Sequence, residues 1–306
     1  MSVDTTSIFV PTPMVEELHN TIKRWTFCGF TGGIIIGDAR LGKSWAVRAL
    51  GNELFTPEGE PIRIFYTQFA RRDTQTLRSV YIRISRAIGQ VEISKSATAD
   101  VLQDSLFHVF AEAALSNSRR QVILIADETQ ELDLIQLNVF AELFNDQDFA
   151  HNRMAIYCVA NAQRFRPMAK QLLQEENQYL RERFFHNIHR FYGIRNFHEL
   201  RHCLAFFDRH QTGETKNFVA YFCPEMTASG KTLEDLAGMI WEIYDERYAQ
   251  PLGLKSWGMT YFQRAILILI MDYLSHYWRD NADTLRSLID KSIAASGIVP
   301  SIKSAC

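Results

Sequence analysis

The sequence has little net charge and no long hydrophobic run. Its 306 residues include 33 basic and 35 acidic side chains, for a formal net charge of -2. This balance excludes a histone-like protein but leaves a local basic surface possible. The longest aliphatic run, AILILIM at 265–271, is too short to span a bilayer. The first residues, MSVDTTSIFVPTP, lack the basic start and apolar centre of a signal peptide. We therefore expect a soluble intracellular protein with no membrane partner.

The sequence also lacks paired cysteines. Its five cysteines are scattered and form no CxxC pair, so no redox or zinc motif is visible and reduced thiols are expected. His198, His202 and Cys203 lie within about one helical turn, but no fourth ligand is evident, so zinc is not favoured. Hydrophobic residues make up 47% and charged residues 22% of the chain, which is ordinary globular usage and excludes a disordered or coiled-coil protein.

The first two-thirds of the chain alternate short apolar runs with helical patterns, which predicts a parallel sheet covered by helices on both faces. Between the second and third strands, apolar residues recur at helical spacing after the N-cap candidates Thr98 and Asp100. After about residue 196 helical patterns dominate, and the apolar stretch 260–278 predicts a buried helix. The predicted strands are 33–37, 62–68, 121–127, 154–160 and 189–194.

The stretch GDARLGKSW, at 37–45, matches the phosphate-binding pattern GxxxxGK[ST] between a predicted strand and a predicted helix. In such a loop, backbone N–H groups surround the β-phosphate, a lysine (here Lys43) neutralises phosphate charge, and a hydroxyl (here Ser44) ligates Mg²⁺. The alternative is a glycine-rich turn followed by an incidental Lys-Ser pair. The predicted nucleotide contacts are Gly37, Asp38, Ala39, Arg40, Leu41, Gly42, Lys43, Ser44 and Trp45.

A second motif supplies chemistry that the loop lacks. QVILIADE, at 121–128, is an apolar run ending in Asp127 and Glu128, and it resembles a Walker B strand. At the carboxyl end of a parallel strand, Asp127 is expected to hold Mg²⁺ through water, and Glu128 to orient and polarise the attacking water. A solvated acidic strand end is common by itself. Both motifs in this order predict a P-loop ATPase that uses ATP and Mg²⁺.

Three further polar residues are candidates for the same reaction. Asn161 ends the next predicted strand and can contact the water or the γ-phosphate, although asparagine is also a common turn residue. Arg181 and Arg183 precede the last predicted strand, where an arginine can reach a neighbouring subunit's nucleotide and stabilise charge on its γ-phosphate. Such an arginine finger implies a homo-oligomer. Arginines in surface ion pairs are the alternative.

The loop, the Asp-Glu strand end, the polar strand-end residue and the LRERF arginine box, in this order, resemble the AAA+ ATPases over residues 30–195. The resemblance implies an α/β AAA+ P-loop domain, with a five-stranded parallel sheet flanked by helices and a smaller C-terminal helical region. The predicted parts are a lead-in to the nucleotide pocket (1–29), an ATPase core (30–200), a helical lid (201–295) and a flexible tail (296–306).

The lead-in IFVPTPMVEELHNTI, at 8–22, is similar to that of transposition regulators of the TnsC/TniB type, relatives of the phage MuB protein. This resemblance implies a bacterial cytosolic protein that forms ATP-dependent rings or filaments on double-stranded DNA and links a target-selection protein to a transposase. It places Val10 at the adenine edge, where ordinary core packing is the alternative. The sequence departs from the AAA+ pattern in two ways. The loop reads DARL where another glycine is common, and the lid shows no clear sensor-2 arginine motif, with Arg264 as the candidate position.

Charge is spread unevenly along the chain. Residues 61–95 carry seven basic and two acidic side chains, whereas 121–150 carry seven acidic and no basic ones. A single positive surface is expected of a protein that binds the DNA backbone. The alternative is a solvated helix face that pairs with acids of a neighbouring subunit. The candidates for phosphate contacts are Arg71, Arg72, Thr74 and Arg78.

These observations favour a transposition regulator whose assembly on DNA is dismantled by ATP hydrolysis. Two other functions remain open. Another DNA-associated AAA+ ATPase, of the initiator or helicase-loader type, would be favoured by an appended winged helix. A nucleotide-switched signalling or scaffold protein would bind nucleotide and hardly hydrolyse it, and the presence of Glu128 argues against this function.

Overall fold

The computed structural model describes residues 8–51, 54–71, 76–90, 92–212, 216–278 and 281–299. The chain forms two compact units. The sheet unit comprises Glu17–Asp38 and Lys43–Phe191, and the helical unit comprises Met1–Glu16, Ala39–Gly42 and Tyr192–Cys306. Residues 39–42, in the middle of the predicted phosphate loop, are therefore assigned to the helical unit.

A five-stranded parallel sheet forms the centre of the sheet unit, with the strand order β2-β3-β4-β1-β5. The first strand in sequence lies between the fourth and the fifth, so the strand order reverses beside it. Ligands of open α/β sheets bind at such a reversal, outside the carboxyl ends of the strands. The strands are β1 (Gly32–Gly37), β2 (Arg63–Gln68), β3 (Gln121–Asp127), β4 (Arg153–Asn161) and β5 (Ile188–Arg190).

Helices connect these strands. Thr98 caps the helix between β2 and β3, where its side chain accepts a hydrogen bond from Val101 N at 3.4 Å, so the first of the two predicted N-caps is the one used. The helices up to β5 are α1 (Pro13–Phe27), α2 (Lys43–Ala49), α3 (Leu77–Ala87), α4 (Ala99–Ala114), α5 (Leu134–Phe149), α6 (Ala162–Leu172) and α7 (Gln178–Leu180), with a π-helical turn at Arg181–Phe185.

The strand β3 shows why the sheet is covered on both faces. All seven of its residues are buried, as expected for a continuous apolar run in a parallel sheet. Val122, Leu124 and Ala126 belong to the main hydrophobic cluster, together with buried residues of α3, α4 and α5. Because side chains alternate along a strand, Asp127 points away from the face that this cluster covers.

The five predicted strands are all present, and the predicted α/β fold is confirmed. The fifth strand, however, was predicted too long, since β5 ends at Arg190 rather than at 194. Directly after it, Phe191 N donates to Ile36 O of β1 at 2.8 Å, and from Gly193 the chain bonds within the helical unit. Gly193 N donates to Ser256 Oγ at 3.1 Å, and Ile194 pairs with Trp257 in an isolated antiparallel bridge. The apolar residues Phe191 and Ile194 are therefore buried without being part of a continued strand, and Tyr192 between them is exposed.

The first residue of β1 is packed too closely to carry a side chain. A Cβ on Gly32 would lie 2.7 Å from Ile156 O, 2.8 Å from Arg183 O and 2.9 Å from Phe184 Cα. All three are backbone atoms, so they cannot move aside as a flexible side chain can. We expect Gly32→Ala to lower the free energy of unfolding by about 1–3 kcal/mol, the usual range for overpacking.

Chemical denaturation measures this change, and Gly238→Ala is the matched control. A Cβ on Gly238, within α11 of the helical unit (Ala237–Tyr244), would meet no heavy atom within 4 Å. Alanine also favours a helix more than glycine does, so this variant should be at least as stable as the parent chain. Equal unfolding midpoints for Gly32→Ala and the parent chain would contradict the argument from close packing.

The helical unit contains helices and one short hairpin, β6 (Gln211–Thr212) with β7 (Lys216–Asn217). The apolar stretch 260–278 forms α13, a π-helical turn at Leu269–Leu274 and α14, and it buries side chains including Phe262, Ile266 and Ile270. The other α-helices of this unit are α8 (Phe197–Arg209), α9 (Phe218–Phe222), α10 (Pro224–Ala228), α11, α12 (Gln250–Leu252), α13 (Met259–Ile268), α14 (Ser275–Tyr277) and α15 (Ala282–Ala295), and a further π-helical turn lies at Asp245–Ala249.

The residues that follow α15 are partly buried. The predicted tail starts at 296, directly after α15, yet Ser296 and Ile298 are buried. Residues 300–306 lie outside the described part of the chain. Among the helices that the structure describes, none combines the length and the apolar character that crossing a bilayer requires.

Candidate nucleotide site

Predicted site residues of the sheet unit meet at the carboxyl edge of the sheet. Gly37 ends β1 and is paired in register with Asn161, which ends β4. Asp127 ends β3, which lies on the other side of β4. The sheet therefore brings together three strand ends that are separated by up to 124 positions in sequence. This edge is where an open α/β sheet binds its ligand.

Lys43, the first residue of α2, points back along its own loop. Its Nζ donates to Gly37 O at 2.9 Å and to Asp38 O at 2.6 Å. Burial lowers the pKa of the Lys43 ammonium, while the nearby carboxylates of Glu128, Asp127 and Asp38 act to raise it. The residue thus places a half-buried donor group near the carboxylates of Asp127 and Glu128, and an anion could replace the two carbonyl oxygens as its acceptor.

Asp127 is almost completely buried, at 2% exposure, and both of its carboxylate oxygens accept hydrogen bonds. Its Oδ1 accepts from Glu128 N at 2.8 Å, and its Oδ2 accepts from the Tyr66 hydroxyl. Each oxygen retains a further lone pair. The carboxylate is therefore held in one orientation and can still accept from an additional donor or bind a cation.

Glu128 has a left-handed backbone, with φ 57° and ψ 38°. A residue with a Cβ pays about 1–2 kcal/mol for this conformation, and such conformations cluster at functional sites. The side chain of Glu128 accepts a hydrogen bond from Gln130 Nε2. The turn after β3 therefore directs the two adjacent carboxylates to different partners. Asp127 faces Tyr66 of β2, and Glu128 faces Gln130.

Gln130 is a component of this site that the sequence did not single out. Besides its bond to Glu128, its Oε1 accepts from Asn161 N at 3.0 Å. The Asn161 side chain meanwhile caps α6, accepting from Gln163 N and Arg164 N, both at 3.1 Å. The Asn161 side chain is therefore the N-cap of α6, while Gln130 joins the Asn161 backbone to the Glu128 carboxylate. A contact of Asn161 with water or the γ-phosphate stays a prediction.

A second missed group approaches Asp127 from β2. The Tyr66 hydroxyl donates to Asp127, and Arg48 Nη2 donates to Tyr66 Oη at 2.9 Å and to Gln68 Oε1 at 3.2 Å. The Arg48 guanidinium also lies over the Tyr66 ring, 4.5 Å from its centroid. Burial and the Asp127 carboxylate raise the pKa of Tyr66 well above its usual value, so the phenol keeps its proton. Tyr66 and Gln68 are two positions apart on β2, so the sequence alone places them on one face of the strand. Their proximity to Asp127 follows only from the register between β2 and β3.

The oxygen atoms of Asp127 and Ser44 are suitable ligands for a Mg²⁺ ion that is also bound by phosphate. Asp127 offers carboxylate oxygen, and the Ser44 hydroxyl makes no hydrogen bond to another described residue. Oxygen ligands of this kind suit Mg²⁺, which usually takes few protein ligands together with phosphate oxygens and water. The described residues contain no group of three or more His, Cys, Asp or Glu that could hold a metal ion. Trp45, next to Ser44, is 55% exposed.

The other predicted nucleotide residues belong to the helical unit. Arg40 and Gly42 have positive φ values of 63° and 95°. Arg40 O accepts from Thr260 N at 3.2 Å, and its guanidinium lies 5.3 Å from the Tyr261 ring centroid. Leu41 is buried and Ala39 is exposed. The loop thus uses a left-handed arginine where related loops often have a further glycine.

The helical unit also contains Val10 and a groove of about 440 Å³. Val10 is buried, at 3% exposure, and its role at an adenine edge stays a prediction. Arg264, the sensor-2 candidate, is exposed. The groove is lined by Pro11, His198, Arg201, His202, Ala205, Phe206, Arg209 and Glu234.

The two candidate finger arginines lie in the π-helical turn before β5. Arg183 Nη1 donates to Asn145 Oδ1 at 2.8 Å, and Arg183 O accepts from Thr31 Oγ1 at 2.9 Å. Arg181 Nη1 donates to Leu172 O and Leu173 O at 3.4 and 3.3 Å. Because Thr31 precedes β1, Arg183 lies at the amino edge of the sheet, opposite Asp127. A finger role for either arginine would require a neighbouring subunit.

The four DNA candidates have different surroundings. Arg71 is exposed and makes no hydrogen bond or ion pair to another residue that the structure describes. Arg78 donates through Nε to Ala97 O at 2.7 Å and through Nη2 to Lys95 O at 2.9 Å, so part of its guanidinium is already bound. Arg72 and Thr74 lie outside the described residues.

Part of the sheet unit is similar to a known family. Residues 31–166 match the family model described as an AAA domain. The matched region runs from the residue before β1 to α6 and includes Lys43, Asp127, Glu128 and Asn161. It ends before Arg181 and Arg183. The chain has no detectable match among curated protein sequences.

Solved structures with similar folds support the same class. The ORC2 protein of Aeropyrum pernix, solved as ADPNP-ADP complexes, has a TM-score of 0.50 and 12% identity, and the match covers 95% of this chain and 71% of that one. Cdc6p from Pyrobaculum aerophilum has a TM-score of 0.48 and 14% identity, with 88% and 70% covered. At these identities the likeness concerns the fold. The sheet unit therefore has the AAA+ P-loop fold.

Proposed function

We propose that this protein is an ATPase that hydrolyses ATP to ADP and phosphate at the carboxyl edge of its AAA sheet. The observation that supports this most strongly is the convergence of Lys43, Asp127 and Glu128. An ammonium suited to phosphate, a carboxylate suited to Mg²⁺ and a second carboxylate free to act on water are the parts that phosphoryl transfer to water requires. ORC2, the similar structure, was solved with ADPNP and ADP.

In the proposed reaction, water attacks the γ-phosphorus as the bond to the β,γ-bridging oxygen breaks. Glu128 orients the water and accepts its proton. Lys43 balances the charge of the β- and γ-phosphates in place of the carbonyls that it contacts here. Ser44 and Asp127 would hold Mg²⁺, which supplies positive charge at the phosphates when bound. Asn161, as a strand-end residue, is proposed to sense the γ-phosphate through its link to Gln130.

Phosphate release with ATP, with and without Mg²⁺, tests this proposal. We expect Mg²⁺-dependent turnover, and the assay should be repeated with duplex DNA because a partner can accelerate a slow ATPase. Nucleotide binding without turnover under every condition would instead favour a switch or scaffold, and absence of binding would reject the nucleotide site.

We further propose that the protein oligomerises on double-stranded DNA as a transposition regulator of the TnsC/TniB type, recruiting transposase to a target chosen by a partner protein. The motif order and the lead-in 8–22 support this, as do the basic residues that follow β2. Arg181 or Arg183 would act on the nucleotide of a neighbouring subunit, which makes ATP part of the interface. Electron microscopy with a slowly hydrolysed ATP analogue should show rings or filaments that depend on DNA.

The likeness to the ORC2 fold favours one alternative, a replication initiator. The two proposals differ in DNA specificity. An initiator is expected to prefer a defined sequence, whereas a regulator that coats DNA through phosphate contacts should bind unrelated duplexes equally well. Competition between unrelated duplexes of equal length distinguishes them. A preference of 1000-fold or more, on the order seen for specific DNA binding, would support the initiator.

Arg71 provides a test of the DNA surface. Because its guanidinium is exposed and not bound to another described residue, we expect Arg71→Gln to weaken duplex binding for all sequences. The slope of log affinity against log salt should fall by about one, as for the loss of one phosphate contact. Fluorescence anisotropy over a range of salt concentrations measures this slope.

The control is Arg119→Gln, which removes the same charge from an arginine that pairs with Glu58 at 2.6 Å. It should leave the salt slope unchanged. Equal slopes for Arg71→Gln and the parent protein would reject a phosphate contact at this position.

A further inference from the structure

A chain of polar contacts crosses three elements and ends on the Walker B aspartate. Arg48 lies in α2, the helix that begins with Lys43, Tyr66 lies in β2, and Asp127 ends β3. Arg48 donates to the Tyr66 oxygen at 2.9 Å, and the Tyr66 hydroxyl donates to Asp127 Oδ2. Neither Arg48 nor Tyr66 is part of the phosphate-binding or Walker B motif, so their place beside this carboxylate calls for an explanation.

The strand register accounts for the geometry. Gln68 pairs with Asp127 and Tyr66 pairs with Ile125. Residues two apart on a strand share a face, so Tyr66, Gln68 and Asp127 all lie on the sheet face that is not covered by α3, α4 and α5. The long Tyr66 side chain reaches the carboxylate two positions further along β3. A shorter side chain at the same position could not do so.

We propose that Tyr66, held by Arg48, is a positioning residue that orients the Asp127 carboxylate for the magnesium ion of the nucleotide. The proposal rests on the ATPase function proposed above. It goes beyond that function because it assigns the control of magnesium affinity to a phenol on β2. Groups that hydrogen-bond a metal-binding carboxylate fix its orientation, and their loss commonly costs about 10–100-fold in metal affinity.

Tyr66 and Arg48 have separate roles in holding the Asp127 carboxylate. Glu128 N fixes Oδ1 of Asp127 from within the same turn, whereas Tyr66 fixes Oδ2 from another strand. Together they prevent rotation of a carboxylate that would otherwise turn about its side-chain bond. Arg48 occupies a lone pair of the phenol oxygen, so the phenol's single proton is left to point at Asp127. The guanidinium over the ring also fixes the position of the Tyr66 side chain.

The test compares the full chain with Tyr66→Phe, which removes one oxygen and keeps the ring. Binding of a fluorescent ATP analogue is titrated with Mg²⁺ and is repeated in EDTA. We expect the Mg²⁺ concentration for half-maximal enhancement of binding to rise about tenfold. Affinity in EDTA should stay unchanged, because the hydrogen bonds of the Tyr66 hydroxyl within the described part of the chain go to Arg48 and Asp127, and neither is a predicted phosphate-binding residue. Arg48→Met should shift the Mg²⁺ requirement in the same direction, and combining it with Tyr66→Phe should add little, since both act through one contact.

Tyr81→Phe is the matched control, because it also removes a hydrogen bond from a phenol to a carboxylate, here that of Glu142. It should keep the parent Mg²⁺ requirement even if it lowers the unfolding temperature, so a general loss of stability cannot mimic the expected result. An unchanged or lower Mg²⁺ requirement in Tyr66→Phe would overturn the proposal. If the parent chain itself binds no analogue, the proposed ATPase function fails instead.

Discussion

Replacing Lys43 by alanine is expected to weaken ATP binding by about 100-fold or more and to abolish nucleotide-dependent assembly. The reason is the position of its ammonium, which is held by Gly37 O and Asp38 O and lies near the carboxylates of Asp127 and Glu128. When phosphates enter this site, two carboxylates already present repel them, and Lys43 supplies the compensating charge. Loss of one partner of a buried charge pair costs about 2–5 kcal/mol, and about 1.4 kcal/mol corresponds to a factor of ten.

Equilibrium binding of a fluorescent ATP analogue measures this effect, and light scattering follows assembly. Lys170→Ala is the control, because it removes the same charge from an exposed lysine of α6. We expect that variant to bind ATP like the parent chain. If Lys43→Ala retained parent affinity while its fold was intact, the loop would be an ordinary turn with an incidental Lys-Ser pair, and the nucleotide site would have to be sought elsewhere.

The sequence predicted the strands and the fold because both depend on local patterns. The apolar run of β3 is buried along its whole length, and the helix after Thr98 starts where its cap residue indicates. The main error was at β5, where a buried apolar stretch was interpreted as a continuing strand. Burial and strand pairing give the same apolar signal over a few residues. Only the hydrogen-bond partners, here Ser256 and Trp257, tell them apart.

The candidate site was only partly predictable. Residues on motif positions, such as Lys43 and Asp127, are marked by spacing along the chain. Tyr66 and Gln130 belong to no recognisable motif. The contact of Tyr66 depends on the register between β2 and β3, and that of Gln130 depends on the left-handed turn at Glu128. Asn161 shows the limit in another way. Its position at a strand end was predicted, but its side chain caps α6, and the link to Glu128 runs through its backbone N–H and Gln130.

Glu128→Gln is expected to lower the rate of ATP hydrolysis by about 10²–10⁴-fold, the usual contribution of a general base, while ATP binding is kept. An amide cannot accept the proton of the attacking water. Its oxygen can still accept the hydrogen bond from Gln130 Nε2, so the turn after β3 should keep its conformation. The variant should therefore hold ATP without turnover, and DNA-bound assemblies that depend on ATP should persist longer than those of the parent chain.

Single-turnover hydrolysis, together with the lifetime of DNA-bound assemblies, separates a lost base from a damaged site. The control is Glu131→Gln, the same substitution three residues further on. The Glu131 carboxylate pairs with Arg164 at 2.6 Å and also accepts from Gln130 Nε2 at 3.4 Å, so this variant alters the contacts of Gln130 without removing the proposed base. Its turnover should stay near that of the parent chain. Normal turnover in Glu128→Gln would remove this residue from the reaction. Slow turnover combined with weak ATP binding would instead show that the turn holds the nucleotide, because a base that acts only on water contributes to the rate and not to ground-state affinity.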